Sequence, residues 1–330
     1  MRVLVVGCGS IGKRHVGNLL ERDDIEHIFV VTKIDPVSLN LNRHKKVTFI
    51  KPPALSTPDL SYLPLISFSK SDFAIIANET SKHMDWAISL GRLGINLLIE
   101  KPLSHTLDGV AELRNIVDEM KIKVMVGYNL RFLEIMGAIK EYLAKGLLGK
   151  IYFAKIEVGQ YLPSWRKDVD YRSTYSASKS MGGGVSLDLS HEIDYMKYLF
   201  GFPLSWKIIK GKVSDLEITS DDIFEGIYRY NTYLCNVHMD YLQRQMKREC
   251  RIVGSKGSLT CDFVNRRFEL QGSVDGDLCI DSPDAFDMDK TYKIELAQFI
   301  QAIQGDKSPA ITLVDGIDAL KLIEEDNVRE

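Results

Sequence analysis

The chain of 330 residues is long for one domain and short for three, and its composition, with 45% hydrophobic, 9% aromatic and 26% charged residues, is typical of globular proteins. This apolar content excludes disorder as the main state, and the net charge of −3 gives no electrostatic reason to expect nucleic acid or an anionic membrane. No apolar run approaches the ~20 residues that span a bilayer, and five cysteines without CxxC spacing argue against a disulfide framework or a cysteine-based zinc site. We therefore expect a cytoplasmic protein with no membrane or nucleic-acid partner.

The first part of the chain alternates between strand-like and helical patterns. Short β-rich apolar runs predict strands at 3–6, 27–32, 72–77, 96–99 and 124–126, and apolar residues at helical spacing predict helices at 10–22, 81–93 and 107–120. Alternation of this kind is typical of βαβ units with a parallel sheet. The proline-containing stretch 35–71 is expected to wrap the edge of that sheet with little regular structure.

The rest of the chain has a different pattern. It predicts helices at 135–144, 187–199, 291–304 and 313–325, and strands at 151–158, 206–213, 223–230, 232–242, 249–254 and 258–263. Strands in series without helices between them indicate a largely antiparallel sheet. We place the domain boundary near residue 125, which divides the chain into domains 1–125 and 126–330.

A GxGxxG pattern follows the first predicted strand directly and opens the first helix. It runs Gly7-Cys8-Gly9-Ser10-Ile11-Gly12. In this context Gly7 permits a tight turn, Gly9 lets the backbone approach a pyrophosphate, and Gly12 lets the helix pack closely on the strand. The pattern therefore predicts a dinucleotide site that includes Ser10 and Ile11.

The end of the second predicted strand bears on the choice between NAD and NADP. NAD sites usually place an acidic residue ~20 residues after the glycine turn to bind the ribose 2′-hydroxyl, whereas Thr32 and Lys33 occupy that position here. A hydroxyl beside a cation suits a 2′-phosphate, and the basic residues at 43–46 could add charge. Alternatively, Lys33 is simply solvated and Asp35 serves as the acid. We favour NADP slightly over NAD.

Several segments, in order along nearly the whole chain, resemble the Gfo/Idh/MocA family of NAD(P)-dependent oxidoreductases, which act mostly on sugars, inositols and related polyols. They are GCGSIGKRH at the start, DFAIIANETSKHMDWAISLGRLGINLLIEKPLS, GYNLRF at 127–132, GGGVSLDLSHEIDY at 182–195 and the closing ITLVDGIDALKLIEE. The resemblance implies an α/β fold with an N-terminal Rossmann domain, built on a parallel sheet, and a C-terminal α/β domain with an open, mainly antiparallel sheet. In the family the second domain carries the substrate site and often an oligomer interface, so a homo-oligomer (dimer or tetramer) is expected.

The resemblance also implies residues that contact the cofactor. Asn78, Thr80 and His83 match a cofactor-contacting pattern, Glu100-Lys101-Pro102 matches the EKP signature, and Asn129 matches a residue near the nicotinamide. In the family the matching lysine lies beside the nicotinamide and hydrogen-bonds the reacting hydroxyl. A partly desolvated lysine can help to move that proton.

Asp188, His191 and Asp194 lie at i, i+3 and i+6 on one predicted helix. A histidine near neutral pKa suits a general base, and a neighbouring carboxylate would orient it. The family usually separates this aspartate and histidine by three residues, whereas only two intervene here, so either Asp188 or Asp194 could be the partner of His191. A metal site on these three residues has no other support, and we expect no metal.

The remaining candidates for substrate contacts are arginines and aromatic residues. Arg131 matches a family residue near the substrate, but it could equally be a structural residue. The segment at 161–175 holds four aromatic residues, two arginines and two aspartates, and aromatic faces suit sugar rings while guanidinium forks suit carboxylate or phosphate. The candidates in this segment are Tyr161, Trp165, Arg166 and Arg172. A sugar, sugar acid or nucleotide sugar would fit them, and the segment resembles a branch of the family associated with surface-polysaccharide pathways.

The sequence thus predicts a dehydrogenase or reductase acting on CH–OH groups, with Lys101, His191 and Asp188 as catalytic residues. Two alternatives within the family stay open at this point. One is a glycosidase that uses NAD with no net redox change, and the other is a non-catalytic, nucleotide-sensing regulator.

Overall fold

The structure, a computed structural model, describes residues 1–35, 46–51, 72–166, 168–272, 276–305, 307–324 and 326–327. It divides into two compact units, the first formed by Met1–Gly127 with Tyr292–Ile317 and the second by Tyr128–Thr291 with Asp318–Glu330. The segment Tyr292–Ile317 therefore groups with the first unit by its contacts, while the assignment of functions to domains 1–125 and 126–330 stays a prediction. Within the described ranges no helix has the length and apolar character of a membrane span.

The first unit is built on a six-stranded parallel sheet. Its strands are β1 (Arg2–Val6), β2 (His27–Val31), β3 (Val47–Ile50), β4 (Phe73–Ile76), β5 (Asn96–Glu100) and β6 (Val124–Gly127), and its helices include α1 (Ser10–Leu20), α2 (His83–Gly91) and α3 (Val110–Met120). The strand order β3-β2-β1-β4-β5-β6 is that of a dinucleotide-binding Rossmann domain. Strands such as β4 are buried along their whole length, because helices of a βαβ fold cover both faces of the sheet.

The expectation that 35–71 has little regular structure is wrong for β3. This strand pairs in parallel with β2, with Ile28 opposite Val47 and Val31 opposite Ile50. Four residues between proline-containing stretches give too short a pattern to be recognised as a strand. Residues 36–45 and 52–71, which include Arg43, His44 and Lys45, lie outside the described residues.

The second unit is built on an eight-stranded mixed sheet. Its elements are α4 (Glu134–Ala144), β7 (Ile151–Gly159), α5 (Val185–Asp188), α6 (His191–Phe200), β8 (Ser205–Gly211), β9 (Ile223–Arg229), β10 (Leu234–Asp240), β11 (Lys247–Gly254), β12 (Gly257–Asp262), β13 (Arg267–Gln271) and β14 (Leu278–Ile280). The strand order is β14-β13-β12-β11-β7-β10-β9-β8, and every neighbouring pair is antiparallel except β7 with β10. The predicted fold class, with a parallel and a mainly antiparallel sheet, is confirmed, although β13 and β14 were not predicted. Two long helices close the chain, α7 (Met288–Gln304) and α8 (Leu313–Glu324).

The prediction of one helix over 187–199 is wrong. Helix α5 ends at Asp188 and α6 begins at His191, because Leu189 leaves the helical region with ψ +23°. Asp188 therefore does not share a helix with His191 and Asp194, and the i, i+3 argument holds only for the latter two.

Candidate active site

The glycine turn of the first unit has the close approaches that its sequence predicts. Gly7 has φ +92°, and a Cβ atom there would lie 2.6 Å from the Ala77 carbonyl oxygen. A Cβ atom on Gly12 would clash with the Gly7 carbonyl group, whereas one on Gly9 would meet no atom within 4 Å. Gly7 and Gly12 are thus required by packing, and the backbone at Gly9 borders open space of the kind that a pyrophosphate needs.

Helix α1 begins immediately after this turn. Gly9 precedes the helix and has no side chain to cap it, and no acidic residue lies in the first turn. Ser10 is exposed and Ile11 is half-buried. The first main-chain N–H groups of a helix have no partner within the helix, and together with the helix dipole they attract an anion. The turn and the start of α1 therefore fit the pyrophosphate of a dinucleotide.

A cavity of about 430 Å³ lies at the carboxyl ends of β2 and β3. It is lined by Thr32, Lys33, Ile34, Asp35, Phe49, Ile50 and Lys51. Thr32 and Lys33 were predicted to meet the ribose end of the cofactor. Lys51 was not among the predicted cofactor-binding residues, because β3 was not recognised in the sequence. The cavity brings two lysines and one aspartate together, so both candidates for cofactor discrimination, Lys33 and Asp35, line it.

Glu100 and Lys101 lie at the carboxyl end of β5, which is the edge of a parallel sheet where ligands bind. Lys101 is half-buried, and its main-chain N–H donates to Glu100 Oε2 at 3.3 Å. The other Glu100 oxygen, Oε1, lies 2.6 Å from His15 Nε2 of α1. Glu100, predicted to contact the cofactor, is thus held by the protein itself, and its partner His15 was missed because 85 residues separate the two.

His83 connects two segments near this edge. Its Nδ1 lies 2.9 Å from the Pro102 carbonyl oxygen, and its Nε2 lies 3.2 Å from that of Asn78. Burial lowers the pKa of His83, which is 1% exposed, below its usual value of 6.5. His83 therefore acts as a structural link between the segment after β4 and the segment after β5. Asn78 is half-buried and Thr80 is 4% exposed.

In the second unit, the residues after β6 form a buried polar network. The Asn129 amide donates to Thr291 Oγ1 at 2.7 Å, and Asn129 is 1% exposed. Arg131 donates twice to Asp194, from Nε at 2.9 Å and from Nη2 at 2.6 Å, and the two side chains are 8% and 1% exposed. This bidentate pair gives Arg131 a structural function and engages the carboxylate of Asp194, one of the two candidate partners of His191.

His191 is the first residue of α6 and is 8% exposed. Its ring meets the Tyr128 ring edge-on, with centroids 5.7 Å apart. Asp188, at the end of α5, accepts a hydrogen bond from the Tyr241 hydroxyl at 2.6 Å and another from Tyr175. The Asp188 charge raises the pKa of Tyr175 above its usual range, and burial followed by that charge does the same for Tyr241. Both phenols therefore stay protonated and donate to Asp188.

The aromatic segment at 161–175 folds as a series of short 3-10 turns. The Trp165 ring meets Tyr241 edge-on at 5.1 Å, so it packs beside the tyrosine that binds Asp188. The guanidinium of Arg166 lies 5.8 Å from the Tyr175 ring centre, and the ring of Tyr161 is covered at 3.5 Å by a guanidinium from outside the segment. Lys167 lies outside the described residues.

Arg172 differs from its neighbours in this segment. It is exposed and pairs with Asp170 at 2.8 Å and with Glu217 at 3.2 Å. Its hydrogen bonds to Asp170, and then the charge of Asp170, raise the pKa of Arg172 further above its ordinary value. Its guanidinium is thus engaged by two carboxylates, whereas Arg166 lies against an aromatic ring.

Comparisons with known proteins agree with this architecture. Residues 1–128 match the oxidoreductase family with an NAD-binding Rossmann fold, and residues 136–260 match the GFO/IDH/MocA C-terminal domain. The chain is 25% identical over 333 aligned positions to myo-inositol 2-dehydrogenase of Thermotoga maritima, covering 98% of this chain and 94% of that protein.

Two solved structures share the fold. One is the WlbA dehydrogenase from Bordetella pertussis in complex with NADH and UDP-GlcNAcA, with TM-score 0.79, 18% identity, and 98% and 93% of the two chains covered. The other is a levoglucosan dehydrogenase in complex with NADH, with TM-score 0.79, 19% identity, and 97% and 95% covered. The family resemblance and the prediction of an oxidoreductase are confirmed: the chain belongs to the Gfo/Idh/MocA family of NAD-binding oxidoreductases.

Proposed function

We propose that this protein transfers a hydride between a nicotinamide dinucleotide and a carbinol or carbonyl carbon of a sugar-like substrate. The observation that carries the proposal is the common edge of the parallel sheet in the first unit. The glycine turn follows β1 and Lys101 follows β5, and the carboxyl ends of parallel strands lie on the same edge. A dinucleotide site and a half-buried cation at one sheet edge suit nicotinamide chemistry on a hydroxyl group.

The chemistry divides between cofactor and protein. The bound nicotinamide supplies the acceptor or donor of the hydride. In the oxidation direction the carbinol carbon loses a hydride and its hydroxyl loses a proton, so the protein must hold the oxygen and take the proton. We assign the hydrogen bond to that oxygen to Lys101 and the proton to His191. In the reduction direction His191 returns the proton to the carbonyl oxygen while Lys101 keeps its hydrogen bond to that oxygen.

Asp188 accepts hydrogen bonds from two tyrosine hydroxyl groups, which hold its carboxylate in place. Its bonds from Tyr241 and Tyr175 fix the carboxylate three residues before His191, beside the break between α5 and α6. Asp194 is engaged by Arg131. We therefore propose that Asp188, rather than Asp194, is the carboxylate that orients His191.

For the cofactor we propose NADP over NAD. The cavity at the ends of β2 and β3 presents Lys33 and Lys51, and two cations suit a 2′-phosphate better than one. Asp35 lines the same cavity and would favour the free ribose diol of NAD. The excess of one positive charge supports this proposal.

For the substrate we propose a sugar, sugar acid or nucleotide sugar. The relatives named above act on or bind myo-inositol, levoglucosan and UDP-GlcNAcA. In this chain Trp165 is the stronger aromatic candidate, because a guanidinium already covers one face of the Tyr161 ring. Arg166 offers a guanidinium for an acidic group. Arg172 is the weakest of the four candidates because two carboxylates already engage it.

We also propose that the protein is a homo-oligomer. The strands of the second unit expose several large apolar side chains, namely Tyr152, Phe153, Ile209, Ile227 and Leu234, each at least 43% exposed. Apolar residues concentrated on one sheet favour contact with another protein surface. Sedimentation of the wild type should give a mass above that of one chain, and Ile227→Lys should lower it. A wild type that sediments as a monomer would exclude this proposal.

The function is tested by a screen of sugars, sugar acids and nucleotide sugars with NAD and NADP, followed by the absorbance of the reduced nicotinamide. We expect at least one substrate that changes the absorbance, with faster turnover for NADP. Turnover without net change in the nicotinamide would favour the glycosidase alternative, and dinucleotide binding without any turnover would favour the regulator.

A further inference from the structure

Three buried titratable side chains meet within the first unit, below the turn that carries Lys101. His15 comes from α1, Glu100 from the end of β5 and Glu295 from α7. One ligand atom from each lies within 4.8 Å of the others, and the three residues are 0%, 8% and 0% exposed. Glu295 belongs to none of the sequence motifs described above, and the proposed hydride transfer does not use it.

Two of the three groups pair with each other, although His15 Nδ1 is buried without a hydrogen-bond partner among the described residues. Glu100 accepts at both oxygens, with Oε1 at 2.6 Å from His15 Nε2 and Oε2 at 3.3 Å from the main-chain N–H of Lys101. Both oxygens of Glu100 therefore lie beside a nitrogen atom that can donate a hydrogen bond.

Glu295 has the opposite environment. Both of its carboxyl oxygens are buried and have no hydrogen-bond partner among the described residues. A buried carboxylate without donors costs several kcal/mol, and a second negative charge beside Glu100 adds repulsion. A proton on Glu295 removes the charge repulsion and lowers the cost of burial, because a neutral carboxyl group is less costly to bury than a carboxylate.

We propose that Glu295 holds a proton at neutral pH, and that it forms with His15 and Glu100 a buried proton-holding site that positions the Glu100–Lys101 turn. Burial and then the Glu100 charge raise the pKa of Glu295 well above its usual range. Two further groups lie beside the cluster, Tyr292 on α7 and Arg14 on α1. Tyr292 meets the His15 ring edge-on at 6.0 Å, and the guanidinium of Arg14 covers Tyr292 at 4.7 Å from its ring centre.

A proton held by Glu295 makes the stability of the folded protein depend on pH in a definite direction. In the unfolded chain Glu295 loses its proton near its ordinary pKa of 4.5, whereas the folded protein retains it to higher pH. Between these two pKa values the folded state binds more protons, so its stability falls as the pH rises. Glu295→Gln keeps the shape of the neutral acid and removes this loss.

The experiment compares the same substitution at two buried glutamates. Glu192 is also 0% exposed, but it forms a bidentate pair with Arg248 at 2.7 and 3.0 Å. Thermal unfolding is followed between about pH 5 and about pH 9. We expect Glu295→Gln to unfold at or above the wild-type temperature at neutral pH, with an advantage that grows as the pH rises. Glu192→Gln should unfold below the wild type at every pH in this range, because Arg248 loses its charged partner.

A deficit of Glu295→Gln that grows with pH would overturn the proposal, because it would mean that the charged form is needed. A direct measurement is the infrared band of a protonated carboxyl group, which should be present in the wild type at neutral pH and lost in Glu295→Gln. Its absence from the wild type would also overturn the proposal.

The same three ligands could instead hold a divalent cation. If the site holds a proton, addition of Zn²⁺ or Mn²⁺ should change the unfolding temperatures of the wild type and of Glu295→Gln by the same amount. If the metal ion raised the unfolding temperature of the wild type and not that of Glu295→Gln, the result would overturn the proposal and identify the site as a metal site.

The positioning function rests on the proposed hydride transfer. With a substrate from the screen, the alkaline fall of kcat should shift to higher pH in Glu295→Gln, because ionisation of Glu295 no longer disturbs Glu100. An unchanged profile would remove the positioning function. If no substrate is found, the proposed function fails, while unfolding and the infrared band still decide whether Glu295 holds a proton.

Discussion

Lys101 is the residue on which the proposed chemistry depends most directly. It follows the last residue of β5, is half-buried, and is joined through its main-chain N–H to Glu100. A half-buried cation at the carboxyl end of a parallel strand lies at the sheet edge where ligands bind.

We predict that Lys101→Ala lowers kcat by about 10²–10⁴ while dinucleotide affinity changes little, because general acid–base groups contribute on that scale. Stopped-flow hydride transfer and fluorescence titration of the reduced cofactor measure the two effects separately. Lys207→Ala, at an exposed lysine of β8, is the matched control and should behave as the wild type. Equal turnover in both variants would remove Lys101 from the catalytic site.

Arg131 and Asp194 form a buried ion pair, which fits the structural alternative for Arg131 and engages the carboxylate of Asp194. Asp194→Asn would leave the Arg131 guanidinium buried without its carboxylate, so we expect a loss of about 3–5 kcal/mol in the free energy of unfolding. The double variant Arg131→Met/Asp194→Leu should recover most of this loss, since neither charge then remains buried. Urea unfolding measures both.

Arg229→Ala, at an exposed arginine of β9, serves as the control for the pair. If Asp194→Asn kept its stability but lost hydride transfer, Asp194 would be the partner of His191 after all.

The break between α5 and α6 is the element that most changes the interpretation of the site. The apolar spacing over 187–199 suits one helix, and a deviation at Leu189 leaves no mark on that spacing. The hydrogen bond that holds Asp188 beside the break comes from Tyr241, which is 53 residues away in sequence. Local periodicity does not report such contacts.

Tyr241→Phe tests whether the hydrogen bond to Asp188 matters. A buried bond to a charged group contributes about 1.5–3 kcal/mol, so we expect a loss of that size in the free energy of unfolding. We also expect a lower kcat, because Asp188 would be less well oriented. Tyr152→Phe, at a tyrosine that is 55% exposed on β7, is the control. Unchanged stability and kcat in Tyr241→Phe would contradict the assignment of Asp188.

The carboxyl ends of β2 and β3 line the cavity that we assign to the ribose end of the cofactor. We expect Lys33→Ala and Lys51→Ala each to weaken NADPH binding about tenfold and NADH binding little, because only NADPH has the 2′-phosphate. Lys46→Ala is the control, since Lys46 precedes β3 and does not line the cavity. Fluorescence titration with both cofactors gives the ratio, and a wild type that prefers NADH would refute the proposed cofactor.

For the whole molecule, the sequence predicts the fold class well because each strand and helix carries its own periodicity. The glycine turn, the parallel sheet and the mainly antiparallel sheet all follow from local patterns, apart from short strands such as β3 and β14. Side-chain networks, by contrast, join residues that are distant in sequence and do not follow from local patterns. Glu100 joins His15 across 85 residues, and Glu295 joins them from a helix near the end of the chain, so no local pattern could predict their cluster.

The central claim is that this protein moves a hydride between nicotinamide and a sugar-like carbon. The most direct measurement uses NADPH deuterated at the transferring position of C4, with the oxidised form of a sugar from the screen, and mass spectrometry of the product. We predict one deuterium on the new carbinol carbon for the wild type and greatly reduced labelling for Lys101→Ala. A product formed without deuterium, while NADPH is bound, would contradict hydride transfer as the function of this protein.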